Sequence, residues 1–341
     1  VDNISPSAPS LLMMICENNN IELEWDESNA EDFAYYEVYS RDELAGYSTE
    51  TNYVETIESN SIHEYRVKTI DANGNSSDLS EPKAVQSLGL NNGANLVSML
   101  VLDELGSLPN STELTGIIGE GVAASQIAPG TWVGSLTSLE CTKGYWVKSD
   151  ETFDLNVTGD LCSDSDTYYL HSGSNLISYN CKYPGDISQA LPDDIEGLIS
   201  GIIGEGVASS QISLGTWVGS LTQLTPGKGY WVKADEDIEF EFECGEEQLV
   251  RLDEEIIENP YTYTQSMNQA FYFIEDIHAL KLEDGDIVLA FNNNTLVGSR
   301  AYNGAYTDIP VMGYMDESTI GYLKEGDTPT FKVEKANGEI L

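Results

Sequence analysis

Carboxylates and amides spaced two residues apart are the first groups with chemistry to offer. Asp71-x-Asn73-x-Asn75, Asp164-x-Asp166 and Asp284-x-Asp286 put oxygen ligands on short loops, where a hard divalent cation such as calcium could be wrapped. None continues to the terminal glutamate of an EF-hand loop. A side chain that closes its own turn is the simpler reading of Asp71, and the one we expect. Asp71, Asn73, Asn75, Asp284 and Asp286 are the calcium candidates, and calcium is the only cofactor candidate. The second group is aromatic: Trp132, Trp146, Trp217 and Trp231, with Tyr145 and Tyr230 directly before the second and fourth. Neighbours in a strand face opposite ways, so Tyr145 and Trp146 cannot both point inward. The outward ring could stack on a sugar, although packing beneath a neighbouring loop or domain is the expected use. Lys143 and Lys148 bracket the pair and could cover the rings.

Other chemistries lack their anchors. Gly119-Glu-Gly121-Val-Ala-Ala124 fits a dinucleotide-binding pattern, but Glu120 would meet the pyrophosphate with like charge and no βαβ unit follows. Tight turns explain those glycines. His63, His171 and His278 fall in three different modules and cannot form a cluster, and no His-x-x-x-His or Gly-x-Ser-x-Gly occurs. With 58 acidic residues, some carboxylate pair always has glycosidase spacing, so that signal says nothing. The chain is expected not to be an enzyme.

The 341 residues carry 15 basic and 58 acidic side chains, a net charge of −43. Such a surface repels nucleic acid and anionic membranes, which require clustered Lys and Arg, and it suits saline surroundings. No apolar run approaches the roughly 18 residues of a membrane span, the longest being Leu11 to Cys16. The opening residues are not expected to form a signal peptide, and a start at Val1 without methionine suggests a piece trimmed from something longer. The cysteines Cys16, Cys141, Cys162, Cys181 and Cys244 form no Cys-x-x-Cys pair and are too few for a disulfide scaffold. Their odd number leaves one unpaired, and Cys162 and Cys244 are expected to be buried thiols rather than bridges.

Period-two alternation with Gly- and Asn-rich breaks predicts a mostly all-β chain. Ile21-Glu-Leu-Glu-Trp25, Tyr36-Glu-Val-Tyr39 and Tyr65 to Ile70 read as strands of a sandwich. With Pro6-Ser-Ala-Pro9 and Asp71-Ala-Asn-Gly-Asn-Ser-Ser-Asp-Leu-Ser80, they resemble a fibronectin type III domain over residues 1–87. Arg41-Asp42 lacks the glycine of an integrin-binding loop, so a spacer is implied. Then comes an internal duplication. Residues 116–148, from Gly-Ile-Ile-Gly-Glu-Gly-Val-Ala to Lys-Gly-Tyr-Trp-Val-Lys, recur at 201–233 with all but seven positions identical. Gly93-Ala-Asn-Leu-Val-Ser98 recurs as Gly173-Ser-Asn-Leu-Ile-Ser178, five residues out of step, so the connection between the blocks is a loop of variable length, with helical character at 187–199 in the second copy. Two tandem β-rich repeats are expected at 88–160 and 161–247. The acidic run Glu246 to Glu258, with Leu249, Leu252 and Ile256 at helical spacing, reads as a linker into a small β domain at 248–341. That domain has strands at Phe271–Ile274, Asp286–Phe291, Thr295–Gly298 and Thr330–Val333.

The repeated block looks like a module that recurs in large virion structural proteins of marine tailed phages and in secreted surface proteins of marine bacteria. The last domain is similar to one found beside such repeats, through Gln269-Ala-Phe-Tyr-Phe-Ile274, Val297-Gly-Ser-Arg300, Asp308-Ile-Pro-Val-Met-Gly313 and Gly326-Asp-Thr-Pro-Thr-Phe-Lys332. The resemblance implies extracellular display on a virion or bacterial cell surface as part of a larger assembly. The partners it implies are neighbouring structural proteins or host glycans and proteins, without nucleic acid or membrane insertion. The alternative is an accessory, spacer or carbohydrate-binding region of a larger secreted carbohydrate-active enzyme. The acidic surface predicts stability that rises with salt, and further with millimolar calcium.

Overall fold

The computed structural model of the chain describes residues 4–17, 19–41, 43–245, 259–275 and 280–341. Among these, nearly all regular structure is antiparallel β, as the alternation predicts. In the strand Asn20–Trp25 the apolar residues Ile21, Leu23 and Trp25 are 0, 0 and 2 % exposed, while Glu22 points away. This strand lies between Leu11–Glu17 and Asn52–Thr56. Facing it, a second sheet runs Glu43–Ser48, Phe33–Ser40, Ser61–Asp71, Lys83–Leu90 and contributes Tyr36, Val38, Tyr65 and Val67 to the same core. Two sheets sharing one apolar interior make the expected sandwich.

The second sheet does not stop at the module's edge. Lys83–Leu90 pairs with Ser61–Tyr65 on one side and, through Ala84–Leu90, with Phe153–Gly159 on the other. The expected boundaries at 87/88 and 160/161 therefore both fall inside strands. The physical gain is that an edge strand left open in a lone sandwich is covered by the next module.

The two repeats have the same sheet. In the first, the order is Thr131–Gly134, Ala123–Ala128, Leu114–Ile118, Gly144–Ser149, Gly93–Ser98. The second repeats it as Thr216–Gly219, Ala208–Ser213, Ile199–Ile203, Tyr230–Ala234, Gly173–Ile177. Registers correspond, Gly116 opposite Lys148 and Gly201 opposite Lys233, and irregularities recur before both glycines. The variable connection holds the strand Val101–Leu102 in the first repeat and two four-residue helices, Ile187–Ala190 and Asp193–Glu196, in the second. Acidic residues in the first turn of the latter helix suit its dipole, and Ile187, Ala190, Leu191 and Ile195 fill the core beneath.

In the last module, Gln269–Ile274 pairs with Thr307–Met312, and Ile287–Asn292 lies between Thr295–Ala301 and Thr330–Glu334. Gly298 approaches the Pro310 carbonyl so closely that a Cβ there would overlap it, which demands glycine. The 247/248 boundary, the acidic run 246–258 and His278 lie outside the described residues.

The cysteine expectation is corrected. Cys141 bonds to Cys162, just past the expected end of the first repeat, and Cys181 to Cys244 within the second, at separations of 21 and 63 residues. Of the two expected buried thiols, Cys162 is buried and Cys244 is exposed, and each is bonded to a partner's sulfur. Disulfides form and persist in oxidising compartments, so the pair point to an extracellular protein. Among the described residues no helix is long and apolar enough to cross a membrane.

Candidate functional site: the two faces of the repeated block

The turn Gly119-Glu120-Gly121 carries the glutamate that seemed wrong for phosphate. Gly121 and its counterpart Gly206 have φ of +70° and +68°, a left-handed conformation that favours glycine and turns the glutamate outward. Each glutamate reaches into the other repeat. Leu176 N–H donates to Glu120 Oε2 at 2.9 Å, and Leu96 N–H donates to Glu205 Oε2 at 2.8 Å. Leu96 and Leu176 are equivalent residues, so the contact is isologous, like that of a two-fold dimer. More of it repeats in pairs: Ser98 N–H donates to the Gly227 carbonyl at 2.9 Å, and Ser178 N–H to the Thr142 carbonyl at 3.2 Å. Burial raises the Glu205 carboxyl, opposed by the Leu96 N–H and by Lys228. Glu120 also meets His171 Nε2 at 2.6 Å, while His171 Nδ1 lies 2.8 Å from the Ser172 carbonyl. Both neighbours are acceptors, which favours the imidazolium, and the His171 pKa is raised by Ser172 and then by Glu120.

Two of the four tryptophans, Trp146 and Trp231, are placed by the same joint. Tyr145 points into the first repeat's own core and Trp146 out of it, the alternation read from sequence. Trp146 is 2 % exposed, packed with Ala94, Leu96 and Leu176 across the joint, and Trp231 packs against this cluster half-buried. Trp132 Nε1 donates to the Pro109 carbonyl at 3.2 Å, and Trp217 Nε1 to Glu196 Oε1 at 2.8 Å, each ring half-buried against its own repeat's core. Lys148 reaches the last module instead of covering a ring: its Nζ lies 2.6 Å from Asp316 Oδ2. That contact, with Ser318, holds the Asp316 carboxyl down at about 2.

The outer face of the second repeat holds the last module through a residue that sequence reasoning did not single out. Asp308, 1 % exposed in the strand Thr307–Met312, accepts from Ser220 N–H at 2.7 Å, Ser220 Oγ at 2.8 Å and Ala208 N–H at 3.2 Å. Arg300 backs this carboxylate at 3.3 Å and donates to the Gly206 carbonyl. Gln269 donates to the Gly204 carbonyl at 2.9 Å and accepts from Gly206 N–H at 3.3 Å. Burial raises the Asp308 carboxyl, and Arg300 opposes it. Its sequence context, Asp-Ile-Pro-Val, carries no signal of this role.

Of the calcium candidates, Asp71 and Asp286 are engaged by protein donors. Asp71 Oδ1 accepts from Asn73 N–H at 2.9 Å and Asn75 N–H at 2.8 Å, and its Oδ2 accepts from Asn75 Nδ2 at 2.8 Å. Burial would raise this carboxyl, but the hydrogen bonds from Asn75 and Asn73 bring it below its ordinary value. Asp286 accepts from Glu283 N–H at 2.9 Å and from Lys335 Nζ, while Asp284 lies exposed in the adjoining turn. Among the described residues no three His, Cys, Asp or Glu side chains gather as a metal-binding group.

A cavity of about 630 Å³ opens where the first module meets both repeats. Arg41, Lys182 and Lys228 line it together with Glu64, Asp164 and Asn180, and Asn180 Oδ1 is buried there without a hydrogen-bond partner.

No family model matches the chain, and no curated protein does. Among solved structures, the chain is similar to the central fibronectin-III array of RIM-binding protein, at 14 % identity, covering 66 % of this chain and 97 % of that one with a TM-score of 0.19. The chicken CNTN1 FN1-FN3 domains match at 11 % identity over 70 % of this chain and 93 % of that one, TM-score 0.20. The Clostridium perfringens spore cortex lytic enzyme SleM matches at 22 % identity over 22 % of this chain, TM-score 0.21, and the chain spans 26 % of that enzyme's length.

Proposed function

We propose that this protein is a non-enzymatic structural and adhesive element, displayed on a virion or bacterial cell surface, that spaces and assembles modules and meets a host or neighbouring subunit. One observation carries the reading: three carboxylates and a tryptophan that could do chemistry are engaged in joining modules instead. Glu120 and Glu205 cross-link the repeats, Trp146 fills the joint between them, and Asp308 seats the last module. Disulfides in both repeats and the −43 charge fit exposure to an oxidising, saline exterior. Antibodies against the 341-residue chain, applied to intact particles and unpermeabilised cells of the source, are the test. Surface labelling is expected; label that appears only after lysis would sink the proposal.

The cavity beside Asn180 favours a second reading, an accessory carbohydrate-binding region of a secreted enzyme. Its mix of amide, cations and carboxylates offers both donors and acceptors to hydroxyl groups. Glycan-array binding abolished by Lys182→Ala would move the proposal to this alternative.

A further inference from the structure

The duplication leaves one binding face bare. In the second repeat, Gly204, Gly206, Ala208 and Ser220 receive the last module through its Asp308, Arg300 and Gln269. The first repeat has the same residue at every one of these positions: Gly119, Gly121, Ala123 and Ser135. Among the described residues no other module covers Gly121, Ala123 or Ser135, while Gly119 is buried against its own repeat's Val122 and Tyr145. Ala208 is 1 % exposed, whereas Ala123, Gly121, Gly134 and Ser135 are all exposed, and Val133 is 49 % exposed.

The serine reports what is missing. In the second repeat, Ser220 Oγ donates to Asp308 and Ala208 N–H donates to the same carboxylate. In the first, where no carboxylate arrives, Ala123 N–H donates to Ser135 Oγ at 3.1 Å. The hydroxyl stands in the acceptor's place. Rotating it away would restore two N–H groups and one O–H aimed at a single point, the donor set that holds a carboxylate.

We propose that this face of the first repeat is a second docking site, and that its occupant is a β domain of another protein presenting, on neighbouring strands of two sheets, an aspartate seated against an arginine. The chemistry follows from the occupied site: carboxylate for the Ala123 and Ser135 donors, guanidinium for the Gly121 carbonyl, side-chain amide for Gly119. Stoichiometry argues against a second copy of this chain. Each copy has two such faces and one module that fits them, so an exchanged module vacates one face for each it fills. A partner that supplies only the fitting module closes the account. The inference stands on the duplication and holds whichever functional reading is right.

The probe is the full chain with Ser135→Tyr and Ser220→Tyr, which blocks both of its own faces and frees its last module. The receptor is the immobilised wild-type chain, whose last module is seated and whose first repeat is bare. Saturable one-to-one binding is expected, weakened about tenfold or more when the receptor carries Ser135→Tyr or the probe carries Asp308→Asn as well. Equal binding to both receptors overturns the proposal. So does no binding by a probe whose hydrogen-exchange protection over Ile287–Met312 matches wild type. If the tyrosines unfold that module, the Ser135→Glu/Ser220→Glu chain, which repels Asp308 by charge, replaces the probe. Wild-type self-association that Ser135→Tyr abolishes would assign the face to a second copy and overturn the partner named here.

Discussion

Replacing Trp146 by alanine separates a joint from a ligand platform. The ring is 2 % exposed and packs with Ala94, Leu96 and Leu176, with Ile118 and Trp231 at the margin. Truncating a buried tryptophan costs about 3–5 kcal/mol, the sum of lost transfer energy and the cavity left behind. Trp231 occupies the equivalent position but is only half-buried, so part of its area is in water already. Trp231→Ala should therefore cost less, by at least about 1 kcal/mol. If the two repeats unfold together, a unit of their size loses about 2–4 °C per kcal/mol, so Trp146→Ala lowers its melting temperature by about 6–20 °C. Calorimetry with the disulfides intact gives the shift. Hydrogen exchange over Leu114–Ile118 and Ile199–Ile203 shows whether both repeats loosen, which the shared joint requires. A surface ring that stacks on sugar would behave in the opposite way, changing stability by about 0.5 kcal/mol or less. A Trp146→Ala loss below about 1 kcal/mol, or a Trp231→Ala loss as large as it, would refute the packing argument.

Loop closure sets the order of the disulfides: removing Cys141–Cys162 as a serine pair should cost about 3 kcal/mol and removing Cys181–Cys244 about 4, with urea unfolding as the measurement. The two histidines oppose each other in pH. His63, lowered to about 4 by burial and then by Arg41, stays neutral in the fold while the unfolded chain protonates below about 6.5. Its contribution is therefore lost as pH falls from there toward 4, and His63→Leu should flatten that limb of a melting curve against pH. His171, with a raised pKa, contributes fully below about 6.5 and loses its contribution as pH rises through the folded value, a slope that Glu120→Gln should reduce but not abolish, since the Ser172 carbonyl remains. Asp71→Ala orphans N–H groups of Asn73 and Asn75 and should cost about 1–3 kcal/mol, equally in EDTA and in calcium at matched ionic strength. A loss confined to calcium would restore Asp71 as a ligand.

Local patterning was readable wherever one residue determines its own burial. Ile21, Leu23 and Trp25 alternate and are buried, and Tyr145 and Trp146 diverge to opposite faces as a strand requires. The strand Thr307–Met312 was not found, because Pro310 argues against a paired strand and only its pairing with Phe271 shows how it is accommodated. The disulfides were missed because Cys162 and Cys244 look equivalent along the chain while their partners do not. Cys141 aligns with Pro226, and Cys181 with Val101. Asp308 was invisible for another reason: one aspartate among 58 acids carries no signal until the fold places Ser220 and Ala208 against it.

The pattern of identity in the repeated block follows from how the copies meet. In an isologous contact each copy must carry both halves of every interaction, the glutamate that reaches across and the backbone that receives it. Hence Gly-Glu-Gly and the strand from Gly93 or Gly173 both occur twice. Three of the seven differences fall together, where Glu140-Cys141-Thr142 stands opposite Thr225-Pro226-Gly227. There the copies have different neighbours: Cys141 is bonded to Cys162, whereas a Cβ at Gly227 would press on Gln86 and Leu88 of the strand shared with the first module. Sequence diverges where surroundings diverge. On that logic the bare face of the first repeat beyond the Gly-Glu-Gly turn should have drifted, since the joint does not use it, yet Ala123 and Ser135 match their seated counterparts. Identity without a shared neighbour is what an absent one would leave.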